Sequence, residues 1–329
     1  MPQQPSSLTK WPHALGRLRR GIGIAANLEC SNSGRVCDIL RFIVIIWRKS
    51  NGPQQMLTLY DFGNSVCCQK VRITMRAKGL DWESVKVDLF RAEQYAPKYL
   101  KLNPKGVVPT LVHNGKAIFE STLICEYLDD TFPEPRLIPD DPWLRTRMRL
   151  WSKMVDEGLF EGVAEISFSA MFRERMRNMP EETRERRFRN IGDPRRRDRF
   201  MSTYELGVRS PFVMHGIAAY ERAFKMLEDT LSETGPWVLG ASVSLADINL
   251  MPFVARLDYL GLLDLWIKNR PCVAAWWALA REWPSFKTGL RDLISEAEFS
   301  EMRTHGPKIA DDIAEIISEM RRNALATAH

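Results

Sequence analysis

At 329 residues the chain is long enough for two domains and a large apolar core, and 45% hydrophobic with 27% charged residues places it among folded globular proteins, away from disordered, collagenous and membrane classes. The formal net charge of +6 resides in residues 1–55, where eight basic residues face only Glu29 and Asp38, so the surplus is no footprint of a nucleic-acid partner for the rest of the chain. The six cysteines (Cys30, Cys37, Cys67, Cys68, Cys125 and Cys272) form neither a disulfide framework nor a zinc-binding spacing, which points to a reducing, cytoplasmic setting without a metal, and the longest apolar run, 42–47, is far short of the ~20 residues a membrane span needs.

Residues 1–55 are Arg-rich and nearly acid-free, with scattered Gly, Ser and Pro. They read as a disordered basic extension, and as translated sequence ahead of a start at Met56 in preference to an organelle-type targeting arm. From Met56 the pattern predicts a strand over 56–60, a helix over 65–78 stopped by Gly79, a strand over 84–88, a short helix or irregular turn over 93–102, and a strand over 109–112. Asn114-Gly115 signals a type I′ hairpin into a strand over 116–119, and a helix over 121–131 follows, stopped by Pro133. The order β-α-β-α-β-β-α defines an α/β, thioredoxin-like domain over 56–134.

Beyond a Pro-rich, acidic linker the period becomes helical. Leu144, Met148, Trp151, Val155 and Leu159 mark one amphipathic helix, the first of an all-α domain over 142–300. The Arg-dense stretch 173–199 reads as a solvated helix and loop laced by i, i+3 and i, i+4 ion pairs, because its aromatic interleaving is confined to Phe188 and Phe200. Further helices are expected over 214–231 and 244–261, the latter opened by the capping box Ser244-Leu245-Ala246-Asp247. The block 270–287 closes the core with Trp276 and Trp277, and the tail over 301–329 carries an amphipathic helix at 308–325.

The chemistry concentrates where the first strand enters the first helix, at Asp61-Phe62-Gly63-Asn64-Ser65-Val66-Cys67-Cys68. Backbone N–H groups and the positive end of the helix dipole converge there and stabilise an anion. A bound thiol is held as thiolate, and the Ser65 hydroxyl can donate to its sulfur. Cys67 offers a second reading, as a nucleophile or mixed-disulfide partner, but its neighbour is Cys68 and the spacing is not Cys-x-x-Cys, so Ser65 ranks first. Both also suit plain capping and packing. Pro109 is either an edge-strand proline or the second half of a cis Val108-Pro109 bond that turns the peptide groups of Val108 outward to pair with a peptide-like ligand. Ser121 suits the N-cap of the third helix; alternatively, Glu120 and Ser121 read an amino-acid head group.

The segments FGNSVCC, NPKGVVPTL, ESTLICEYLDD and SLAD, with the RPxxxxW-type close, resemble the cytosolic glutathione transferase superfamily over residues 56–290. The resemblance implies glutathione as cosubstrate: Ser65 activates its sulfur, Val108 pairs with its cysteinyl backbone before cis-Pro109, Glu120 and Ser121 hold its γ-glutamyl group, and Gln94 and Lys105 fall at its glycyl end. Cys67 falls where the beta and zeta classes carry a cysteine. Asn64-Ser65, ESTLICEYLDD, RLWSKMVDE and the Arg-rich insertion are similar to the bacterial lignin β-aryl etherases and fungal etherase-like transferases. The implied activity is attack of glutathione thiolate on an apolar, aromatic electrophile, of a detoxifying or ether-cleaving kind, with the acceptor against Phe62, Trp151 and Met154. A homodimer is implied as well. Two other functions share the fold: a Cys67-dependent thiol-disulfide or deglutathionylation enzyme, and a non-catalytic binding module.

Overall fold

The computed structural model describes residues 56–326, so the readings made for residues 1–55 lie outside the described residues. Strand β1 (Leu57–Asp61) buries Leu57, Leu59 and Asp61 and leads through a tight turn into α1 (Val66–Ala77), capped by Ser65. Strand β2 (Glu83–Lys86) lies parallel to β1. It is shifted from the expected 84–88 because the Val87 N–H takes the Asp61 carbonyl at 2.8 Å, the last acceptor β1 offers before the chain turns away. A 3-10 turn (Glu93–Tyr95) and the short α2 (Pro97–Leu100) occupy the stretch read as helix or turn. Strand β3 (Thr110–His113) then pairs antiparallel with both β1 and β4 (Lys116–Phe119), in the order β2-β1-β3-β4. Asn114 and Gly115 both have positive φ, 49° and 79°, as the hairpin requires. Helix α3 (Ser121–Thr131) follows.

The helical part begins with α4 (Pro142–Met154), α5 (Phe160–Ser167) and α6 (Arg173–Arg177), joined into one continuous run by two π-helical turns, Val155–Leu159 and Phe168–Phe172. Single-turn π segments inside α-helices concentrate at functional positions, and both of these adjoin the site described below. The Arg-dense stretch forms α7 (Glu181–Arg189) and α8 (Pro194–Leu206). Its intrahelical pairs are present, Arg184 with Glu181 at 3.9 Å and Arg189 with Glu185 at 3.5 Å. It is less solvated than expected, however: Arg199 pairs with Glu161 and with the buried Glu165, and Arg173 donates to the carbonyls of Tyr204 and Glu205.

Helix α9 (Pro211–Thr234) crosses α5 where Gly162 meets Gly216, so closely that a Cβ built on Gly216 would stand 2.6 Å from the Gly162 Cα. Helix α10 (Leu245–Tyr259) is buried on nearly every side, as its almost continuous apolar sequence requires. Its capping box forms as expected, and the same aspartate reaches further: Asp247 also accepts from the Val238 N–H at 2.9 Å and the Trp276 indole at 3.0 Å. Helices α11 (Asp264–Ile267), α12 (Pro271–Glu282), α13 (Pro284–Gly289), α14 (Glu296–His305) and α15 (Ala310–Ala326) complete the chain. One apolar core runs unbroken from Leu57 and Leu59 of the sheet through Phe253 of α10 to Ile317 of α15.

Candidate active site

The loop between β1 and α1 is built around two arginines. Asp61, at the end of β1, pairs with the buried Arg72 of α1 at 2.6 Å, and Arg72 also donates to the carbonyls of Gly63 at 2.7 Å and Gly289 at 3.0 Å. Arg256 of α10 donates to the carbonyl and side-chain oxygen of Asn64, at 2.7 and 2.5 Å, and to the Ser167 hydroxyl at 3.2 Å. The loop is thereby pinned from the first helix and from the helical part together. Burial pulls the Arg256 guanidinium down to about 10, and no carboxylate among the described residues bonds to it.

Ser65 sits where this pinned loop becomes helix. Its N–H bonds to the Phe62 carbonyl at 3.0 Å, and its hydroxyl oxygen accepts from the Cys68 N–H at 3.4 Å. The same hydroxyl also pulls the Cys68 thiol down, against the larger effect of burial. The N–H groups of Val66 and Cys67 enter no hydrogen bond among the described residues, so the helix start keeps free donors for a negative charge.

Cys67 lies one turn face away, half-buried, beside Ser121. Burial pushes its thiol up, against the opposing pull of the Lys70 ammonium and the Ser121 hydroxyl. Cys68 is fully buried and its thiol stands well above the ordinary range for the same reason. Neither resembles an activated nucleophile, which needs a lowered pKa and access.

The Val108-Pro109 bond is cis, and Pro109 stands before β3 and outside it. The buried Asn103 and Tyr99 fix the approach: the Tyr99 hydroxyl donates to the Val107 carbonyl at 2.6 Å, and the Asn103 amide donates to the same oxygen at 3.0 Å and to the Thr110 hydroxyl at 3.1 Å. The N–H and C=O of Val108 enter no hydrogen bond among the described residues. Val108 packs in one small cluster with Cys68, Val87 and Tyr99, and Phe62 lies against it.

At the start of α3, Glu120 occupies the N-cap position with φ at 70°, a value rarely adopted by a residue with a Cβ. Ser121 is the first helical residue, a correction to its expected place as N-cap. The Glu120 carboxylate is held by Lys105 at 2.7 Å, so those two predicted residues meet each other. Gln94, within the 3-10 turn, is buried, and its side-chain oxygen has no partner among the described residues. Gly106 (φ +59°) lets that turn close, since a Cβ there would stand 2.9 Å from the Tyr95 ring.

The expected acceptor wall is only partly formed. Phe62 meets Phe90 edge-on at 5.7 Å, and Phe90 meets Phe172, in the second π turn, at 5.9 Å. Trp151 is 2% exposed and belongs to the core, and Met154 is half-buried against the same core. Trp151 therefore offers no surface to an acceptor, whereas Phe62, Phe90 and Phe172 form a chain of ring contacts. A cavity of about 680 Å³ near Asp264 and Arg270 contains none of the predicted residues.

Residues 59–136 match the family model described as Glutathione S-transferase, N-terminal domain, and residues 181–278 the one described as Glutathione S-transferase, C-terminal domain. The crystal structure of the beta-etherase LigF from Sphingobium sp. strain SYK-6 superposes with a TM-score of 0.64 at 30% identity, covering 72% of this chain and 99% of that one. The chain belongs to the glutathione S-transferase family. By sequence it is 48% identical to Protein LigF over 103 residues, 31% of this chain and 40% of that protein. It is 47% identical to Glutathione S-transferase 1 of Dianthus caryophyllus over 92 residues, 28% of this chain and 42% of the relative. The sequence matches thus span about two fifths of the length of these curated relatives.

Sequence reasoning missed several residues that shape this glutathione S-transferase site. Lys70 is fully buried and donates to the Thr122 hydroxyl at 2.6 Å and to Asp156 at 3.2 Å, while Thr122 donates to Asp156 at 2.9 Å. Asp156 belongs to the first π turn, which ties the helical part to the starts of α1 and α3. Lys70 carried a signal, a lysine on the apolar side of a predicted helix. Arg256 carried one too, lying within the almost wholly apolar stretch LADINLMPFVARLDY. Neither identifies its partner without the fold.

Proposed function

We propose that the chain is a glutathione transferase in which glutathione sulfur, held as thiolate by the Ser65 hydroxyl and the start of α1, attacks an electrophilic carbon of an aromatic acceptor. The reading rests on one convergence: Cys68 packs with Val108, Cys67 adjoins Ser121, and Lys105 reaches Glu120, so three segments distant in sequence meet around the start of α1. The free peptide groups of Val108 suit the cysteinyl backbone of the tripeptide, the orphaned acceptor of Gln94 suits a backbone N–H near its glycyl end, and Glu120 suits its ammonium once Lys105 yields. In attack on an aryl ether the sulfur lone pair forms the C–S bond and the C–O bonding pair leaves with the phenoxide, which takes a proton from solvent. Holding both reactants in one cleft and aiming preformed donors at the sulfur supply the rate gain.

The raised Cys67 thiol disfavours the thiol-disulfide reading. Among the described residues the four cysteines, Cys67, Cys68, Cys125 and Cys272, are free, which suits a reducing, cytoplasmic compartment, and no helix there is long and apolar enough to cross a membrane. A homodimer is supported by Phe119, Leu123, Trp143 and Leu150, large apolar side chains left exposed on β4, α3 and α4, and light scattering tests it.

Calorimetry with glutathione, followed by mass spectrometry of mixtures with chloronitrobenzenes and β-aryl ethers, tests the function. Saturable binding with glutathione adducts is expected. Binding without any adduct supports a binding module instead, and no binding refutes the reading.

A further inference from the structure

Among the cations of the Arg-rich insertion, Arg187 stands apart in its surroundings. Along α7, Arg184 and Arg189 have carboxylates one turn away, at Glu181 and Glu185. Arg187 has Thr183, Arg184, Asn190 and Ile191 at the corresponding positions, none of them acidic. It is half-buried, and among the described residues no ion pair or hydrogen bond reaches its guanidinium. Burial first, and the like charge of Arg175 second, press against its charged state.

Its surroundings are aromatic. The Arg187 guanidinium lies over the Phe90 ring, 5.8 Å from the centroid, and Arg175 lies over the same ring at 5.2 Å and over Phe172 at 5.5 Å. Arg175 is neutralised by Glu301 at 2.5 Å; Arg187 is not neutralised. Two cations sharing one ring with a single carboxylate between them leave one positive charge in excess. Phe90 is 44% exposed and meets Phe62, whose carbonyl accepts from the Ser65 N–H, so this charged aromatic patch is continuous with the place proposed for the reacting sulfur. A planar guanidinium that is partly desolvated and lacks a counter-ion favours a carboxylate through paired, charge-assisted hydrogen bonds.

We propose that Arg187 receives a carboxylate carried by the aromatic acceptor, whose ring lies against Phe90 and Phe172, so that the enzyme selects anionic aryl electrophiles over their neutral counterparts. This rests on the transferase reading above. The acceptor reacts as already described; the carboxylate is held and undergoes no covalent change.

The test compares 4-chloro-3,5-dinitrobenzoate with its methyl ester, each kcat/KM divided by the uncatalysed rate with glutathione. The wild-type chain is expected to favour the acid by about tenfold or more, in keeping with a charge-assisted pair. Arg187→Met brings that ratio to near one, and Arg187→Lys retains part of the preference. A wild-type ratio near one, or a ratio unchanged in Arg187→Met, overturns the proposal. So does a loss in Arg187→Met confined to glutathione and absent with γ-glutamylcysteine, because Arg187 would then hold the glycyl carboxylate. If glutathione gives no calorimetric heat and neither compound is conjugated, the transferase reading falls and takes this proposal with it; conjugation of both at equal ratio overturns the proposal alone.

Discussion

The guanidinium of Arg256 donates to both oxygens of Asn64, the main-chain one at 2.7 Å and the side-chain one at 2.5 Å, immediately before Ser65 in the chain. A buried cation to which no carboxylate is bonded stabilises an anion that enters nearby, because little solvent screens it. In Arg256→Met the sulfur of bound glutathione should titrate about one pH unit higher and kcat should fall roughly ten- to a hundredfold, with a smaller change in KM for glutathione. Absorbance of the thiolate at 240 nm against pH measures the first, and an unchanged titration removes Arg256 from any electrostatic role.

Ser65 combines a cap with a donor, and the two roles separate by substitution. Ser65→Ala should lower stability by about 1 kcal/mol through loss of the bond to the Cys68 N–H. It should lower kcat by about a hundredfold, the loss typical of one oriented donor, while the glutathione Kd stays within several-fold. Ser65→Thr should restore both. Turnover unaffected in Ser65→Ala would shift activation to the backbone N–H groups.

Cys67 should label slowly. With its thiol raised by burial, iodoacetamide at pH 7 should modify it more slowly than free glutathione, and the rate should keep climbing above pH 9. Cys125, pushed up to about 11, should resist longer. Cys67→Ala should conjugate at about half the wild-type rate or better, whereas loss of all turnover would revive the thiol-disulfide alternative.

An acid-dependent contribution to stability is expected at Glu221. Burial alone would raise this carboxyl, but Arg321 and Arg270, at 2.9 and 2.6 Å, hold it below its usual 4.5. The folded state therefore binds its proton less readily than the unfolded chain, and the stabilisation is fully present above pH 4.5 and lost as pH falls through the lower folded value. The difference in Tm between the wild type and Glu221→Gln should be largest near neutrality and vanish toward pH 3, as thermal melts across that range would reveal.

At the crossing of α5 and α9 there is no room for a methyl group. Gly216→Ala places a Cβ 2.6 Å from the Gly162 Cα, backbone that cannot rotate aside, and should destabilise the protein by about 1–3 kcal/mol or more. Denaturant melts measure it, and a loss below about 0.5 kcal/mol would mean that the helices separate freely.

By itself the sequence determined the elements whose signals are local: the Asn114-Gly115 hairpin, the Ser65 cap, the capping box at Ser244, and the period change after the sheet each depend on a few neighbouring residues. Motif order also carried the family. Tertiary structure decided everything that depends on a partner far away in the chain. Only the fold brings Arg256 to Asn64 across 192 positions, Lys70 to Asp156 across 86, and Arg187 to the Phe90 ring. It also turned Trp151 into the core, because helical spacing defines an apolar face without saying whether another helix or a substrate covers it. Cys67 illustrates the same limit: its position in the motif was legible, whereas its reactivity depends on burial and on the charges that its own helix, the first π turn and the start of α3 place around it.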